Sequence, residues 1–96
     1  MYDFHPDAES EFIDAIAYYE RREDELGKNF AREVFRAIDL IVEFPNAWAL
    51  QVKGTRRYLT NKYPYSIVYS LRRDEVVIWA VMHQNRAPYY WVGRLD

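Results

Sequence analysis

Between Ala8 and Leu26 the apolar residues Ala8, Phe12, Ala15, Ile16, Tyr19 and Leu26 recur mostly at steps of three and four. That spacing gathers them into one stripe of an α-helix. Pro6 suits the first helical position, where the N–H it lacks has no intrahelical partner. Asp7, Glu9 and Glu11 then set negative charge at the positive end of the helix dipole. The pattern predicts a helix over roughly 6–26, stopped by Gly27 as a left-handed cap. A second stripe, Phe30, Val34, Ala37, Ile38, Ile41 and Phe44, predicts a helix over roughly 28–44 that Pro45 ends. So short a connection folds the two back into an antiparallel hairpin. Each stripe is one-sided, so both helices must lie on another apolar surface.

The second half supplies that surface. Residues 2–5 read as a short strand, and the runs 56–61, 64–71 and 75–83 as three more. Arg72-Arg73-Asp74 makes the turn of the last hairpin, with Asp74 the main turn former. Val76 to Val81 is apolar on both faces apart from the Trp79 indole nitrogen, which suits a central strand. Residues 46–55 form the one long irregular stretch, pinned by Trp48. The expected fold is α+β: an N-terminal helical hairpin on a small, mainly antiparallel sheet of about four strands. One domain accounts for residues 1–96.

Composition adds three constraints. The chain has no cysteine, which removes disulfides and thiolate metal sites. No apolar run reaches membrane length, and the N-terminus has no signal-peptide pattern, so the cytoplasm is the expected compartment. The net charge of −2 hides an asymmetry. Residues 1–50 carry 5 basic and 12 acidic side chains, whereas residues 51–96 carry 8 basic and 3 acidic. The helices therefore show solvated acidic faces, and the sheet side has a local field that attracts anions. Nine tyrosines exceed what a core of this size needs, so several are expected at a binding surface.

Three groups of residues could carry chemistry. His83 ends the apolar strand and Arg86 follows three residues on. They could bind a phosphate or act on one, or they could brace the tail. Arg56 and Arg57 are strand neighbours on opposite faces, so only one can face a given groove. Tyr89, Tyr90, Trp91 and Arg94 mix rings with a cation, which suits base stacking or packing of the tail on the sheet. Glu9, Glu11, Asp14 and Glu20 read as a solvated helix face. His5 and His83 lack ligand spacing, so no metal is expected, and with no glycine-rich loop no cofactor is expected either.

Collinear features along nearly the whole chain resemble the ParE/RelE toxin superfamily of type II toxin–antitoxin systems. They are Phe4-His5-Pro6, Gly27-Lys28-Asn29-Phe30, Phe44-Pro45, Arg57, Pro64-Tyr65, Tyr69, Ala80-Val81, His83 and Arg86. The resemblance implies a toxin neutralised by a cognate antitoxin, in a toxin–antitoxin hetero-oligomer. It leaves three targets open: DNA gyrase, mRNA on the ribosome, or none beyond the antitoxin. The ParE-like, gyrase-directed branch is favoured, because RNase members tend to be strongly basic and this chain has a pI near 5.7. That branch needs no enzyme. Its contact residues are expected to be Arg57, Arg86, Trp91 and Arg94, with Arg57 favoured by the resemblance as the groove arginine. The RelE-like alternative is a metal-independent endoribonuclease using His83, Arg86 and Tyr90.

Overall fold

The structure is a computed structural model and describes residues 1–95. Strand β1 (Tyr2–Phe4) leads into helix α1 (Pro6–Arg22) and helix α2 (Leu26–Glu43). Strands β2 (Ala49–Leu50), β3 (Arg56–Leu59), β4 (Tyr65–Arg72) and β5 (Glu75–His83) follow. They form one sheet in the order β1-β5-β4-β3-β2, antiparallel except for the parallel pair β1–β5. The expected α+β hairpin-on-sheet holds, with five strands in place of about four. The added strand, β2, spans two residues, too few for any periodicity to register. Crossing back over the sheet through the helical hairpin is what lets β1 run parallel to β5.

Gly27 does not stop α1. It lies buried in the first turn of α2, and Glu25 adopts the left-handed conformation instead (φ 72°). A Cβ on Gly27 would stand 2.5 Å from the Ile16 carbonyl oxygen and 2.9 Å from Glu20. The glycine therefore permits close helix contact rather than a turn. Glu20 finishes the joint by accepting the Glu25 and Gly27 amides at 3.0 and 2.9 Å. The Glu25 amide, chiefly, holds its carboxyl below the ordinary value, because these donors favour the charged form. Glu20 thus caps α2 rather than simply facing solvent.

The sheet has two covered faces. Against the helices lie Ile67, Tyr69, Val76, Ile78 and Val81, meeting Ala8, Phe12, Phe30, Val34, Ile38 and Ile41. Phe44, the last residue of the second stripe, stays half exposed at the end of α2. The opposite face holds Val68, Trp79, Ala80 and Met82, covered by the C-terminal tail through Trp91, Tyr90, Val92 and Leu95. A bulge makes this asymmetry possible. Val68 pairs with Ala80 but Tyr69 pairs with Ile78, so Trp79 is the extra residue, and it joins Ala80 on the tail side. Ile78 and Trp79 thus serve different cores, as strand alternation predicts.

The β4–β5 turn is tighter than expected. Arg72 still pairs with Glu75, and only Arg73 and Asp74 turn the chain, both at positive φ (51° and 66°). Two left-handed residues match the right-handed twist of a hairpin.

Candidate functional site

β1 ends at Phe4 where the chain enters α1, so it covers only the first half of β5. Beyond Ile78 no strand among the described residues lies beside the outer edge of β5. Side chains take its place. Arg94 Nη1 donates to the Trp79 carbonyl at 2.8 Å, and the Val81 amide donates to Glu11 Oε1 at 3.0 Å. The same two side chains meet each other, Arg94 Nη2 to Glu11 Oε2 at 2.7 Å and Nη1 to Oε1 at 3.1 Å. Tyr90 completes the cluster by donating its hydroxyl to Glu11 Oε2 at 2.8 Å. Glu11, read from sequence as solvated, is a half-hidden hub with four donors. Only its position, one turn after Asp7 and next to the stripe, hinted at it.

The cluster fixes protonation states. Burial, then the hydrogen bond to Glu11 and the charge of Glu11, push the Tyr90 hydroxyl well above the ordinary tyrosine range. Burial pulls the Arg94 guanidinium down, but hydrogen bonding to Glu11 and its charge more than offset that and raise it. Both groups are thus locked at neutral pH as a neutral phenol and a cation.

Beside the cluster, between α1 and the C-terminal half of β5, runs an open groove of about 280 Å³. Its walls include Asp14, Tyr18, Tyr65, His83 and Arg86, with Glu11 at one side. His83 stands edge-on to Tyr65 at 5.2 Å. Its Nδ1 accepts the Asn85 amide at 3.0 Å, which leaves Nε2 as the ring nitrogen without a backbone partner among the described residues. Arg86 donates its amide to the His83 carbonyl at 3.0 Å, and its guanidinium stacks 3.8 Å over the Tyr90 ring. The groove therefore brings together the Arg86 guanidinium, the Asp14 carboxylate with Glu11 at one side, and the His83 imidazole, whose Nδ1 already accepts a backbone amide.

The structure brings His83 and Arg86 to one groove, and Asp14 and Glu11, which the acidic pattern of α1 marks only as solvated, stand beside them. The other expected site residues lie elsewhere. Arg57 faces the tail side of the sheet, where Nε donates to Ser66 Oγ at 2.9 Å. Arg56 turns the other way and donates to the Trp48 carbonyl at 2.8 Å, so neither arginine reaches the groove. Trp91 is 1% exposed and fills the second core. Tyr90 stands behind the groove, its ring under the Arg86 guanidinium and its hydroxyl on Glu11. Of the nine tyrosines, Tyr2, Tyr18 and Tyr89 are exposed. Tyr19, Tyr63 and Tyr65 pack around Phe30. Among the described residues no group of His, Cys, Asp and Glu could hold a metal ion, and no helix is long and apolar enough to cross a membrane.

The family model described as "ParE toxin of type II toxin-antitoxin system, parDE" matches residues 2–88. The chain belongs to the ParE toxin family. The match spans β1 through the groove-bearing loop and stops before Trp91 and Arg94. No curated protein matches the sequence. A solved chain titled "Chromosomal ParDE TA system from P. aeruginosa" superposes with a TM-score of 0.75 at 14% identity. The alignment covers 85% of this chain and 92% of that one. At that identity the likeness speaks for the shared ParE fold alone.

Proposed function

We propose that this ParE-family chain is a growth-arresting toxin held inactive by a small antitoxin, and that it acts on DNA gyrase by contact rather than by cleaving RNA. The observation that carries the choice is the mixed charge of the groove. Cleavage of RNA by attack of its 2′-hydroxyl needs a base, an acid and cations around one phosphate. Here the Nδ1 lone pair of His83 is occupied by the Asn85 amide, and the Tyr90 hydroxyl is committed to Glu11. Arg57 and Arg94 are spent on Ser66 and Glu11. Asp14 and Glu11 stand on the wall where a phosphate would enter. A carboxylate about 4 Å from a phosphate costs roughly 1–4 kcal/mol, depending on the local dielectric. A protein segment with both signs of charge meets no such penalty.

Antitoxin neutralisation is tested by calorimetry against the product of the adjacent upstream reading frame. Binding at nanomolar strength or tighter is expected, with a partner of under about 100 residues whose tail orders on binding. No detectable binding at micromolar concentrations contradicts it.

A further inference from the structure

Arg86 is the cation of the groove wall, and its side chain is exposed. Among the described residues no hydrogen bond or ion pair holds its guanidinium. A long exposed side chain samples many rotamers, and a partner that grips it must first immobilise it. What meets the group here is the face of Tyr90, with Arg86 Cζ 3.8 Å from the ring centre. That lies well inside the reach of the attraction between a cation and a ring face. The loop is built to bring the two together. Backbone hydrogen bonds from Gln84 to Pro64, from Arg86 to His83 and from Val92 to Tyr89 fasten the segment 84–92 along its length. Within it Tyr89 adopts the left-handed conformation at φ 67°, unusual for a residue with a Cβ, in the turn that brings the next ring back under Arg86. Tyr90 itself is anchored. Its hydroxyl donates to Glu11 Oε2 at 2.8 Å, and Arg94 holds the same oxygen at 2.7 Å. Arg94 also lies 5.2 Å from the Tyr90 ring centre. Two guanidiniums so close to one ring repel each other, and the Glu11 carboxylate offsets that charge.

We infer that Tyr90 is the positioning residue for Arg86: its ring, fixed through the hydroxyl by Glu11, holds the guanidinium at the groove wall in the orientation in which the target meets it. Tyrosine suits the task because it has both parts, a ring face for the cation and a hydroxyl for the anchor. Phenylalanine keeps only the first and leucine neither. Ordering one long side chain in advance corresponds to roughly threefold to tenfold in affinity. The inference rests on the reading that Arg86 contacts gyrase, and adds what orients it.

The test compares Tyr90→Phe, Tyr90→Leu and Arg86→Lys in gyrase supercoiling inhibition, in growth arrest on induction and in NMR spectra of the Arg86 side chain. The Phe and Leu variants both lose the bond to Glu11 and differ in the ring, so the pair separates the ring from the latch. Tyr90→Phe should inhibit within about twofold of wild type, and Tyr90→Leu should be weaker than Tyr90→Phe by roughly threefold to tenfold. In an Arg86→Ala background the Leu change should have no further effect, because the cation it orients is gone. Arg86→Lys, at an exposed position, keeps the charge and gives up the planar group, and should lose about threefold or more. Ring current should move the Arg86 Nε proton upfield in wild type and Tyr90→Phe, and not in Tyr90→Leu. Equal inhibition by the Phe and Leu variants, a further loss in the double variant, full activity of Arg86→Lys, or an Arg86 signal indifferent to Tyr90→Leu would overturn the inference. Growth arrest separates it from the gyrase reading. A wild type that arrests growth without inhibiting gyrase ends that reading, and the inference then stands or falls by the same order, Phe above Leu, in growth arrest. Gyrase inhibition that Tyr90→Leu retains in full leaves the gyrase reading intact and ends the inference.

Discussion

Two sets of ionisable side chains lie side by side and do opposite work. Glu11, Tyr90 and Arg94 form a closed latch, in which every polar atom of Glu11 is used and the guanidinium also holds the bulged strand. Asp14, His83 and Arg86 border an open groove, and among the described residues no ion pair joins Asp14 or Arg86 to a neighbour. Arg86 and Arg94 are the same residue type in the same tail, yet one braces and the other presents. Topology makes the difference. β1 is too short to cover β5, so the uncovered edge needs substitutes for a strand, and the latch supplies them. The groove is what remains beyond it.

The contrast breaks first at the latch side. Trp91→Ala should cost about 3–5 kcal/mol, because it empties the centre of the tail-side core. Urea unfolding checks it, and a loss below about 1 kcal/mol would mean that the tail is not docked. Arg94→Ala should cost about 3 kcal/mol, since it strands the Glu11 carboxylate and frees the Trp79 carbonyl, both pair members being only 15–16% exposed. Faster hydrogen exchange at the Val81 amide should accompany it. Tyr90→Phe should cost about 1 kcal/mol at neutral pH. Its sharper signature lies in alkali. A phenol whose folded pKa is raised contributes stability that is fully present below its unfolded value near 10 and is lost as pH rises beyond it. Tyr19, Tyr63, Tyr65 and Tyr69 are raised too, chiefly by burial. Melting temperature should therefore fall above pH 10, and less steeply in Tyr90→Phe. At the groove side, Asp14→Asn, His83→Ala and Arg86→Ala should each change stability by about 0.5 kcal/mol or less. Losses equal to those at Arg94 would erase the distinction between latch and groove.

Much of the architecture was legible because it rests on periodic burial. Of the second stripe, Phe30, Val34, Ala37, Ile38 and Ile41 are buried and only Phe44, at the helix end, is not, and the run 75–83 is strand β5 to the residue. Legibility failed where one residue or a contact across the fold decides the structure. Gly27 carries the composition of a helix stop but serves helix approach, which no local pattern distinguishes. β2 is too short to read. Glu11 and Arg94 are 83 positions apart in sequence, and nothing in the acidic pattern of α1 separates Glu11 from Glu9. For Arg57, strand alternation gives relative facing, not which face the helices cover, and for Trp91, in the tail beyond β5, no periodicity tells burial from exposure. His83 and Arg86 were legible because a strand end places its following loop at the sheet rim whatever covers the faces.

The most direct measurement of the central claim puts purified wild type and His83→Ala in parallel assays of gyrase supercoiling and of mRNA cleavage on translating ribosomes. Wild type should inhibit gyrase and leave mRNA intact. His83→Ala should keep gyrase inhibition within a fewfold, while Arg86→Ala weakens it about tenfold or more, as expected of a cationic contact anchor. Cleavage by wild type that His83→Ala lowers by roughly two to four orders of magnitude, with an unchanged melting temperature, would contradict the account and assign the groove to RNA.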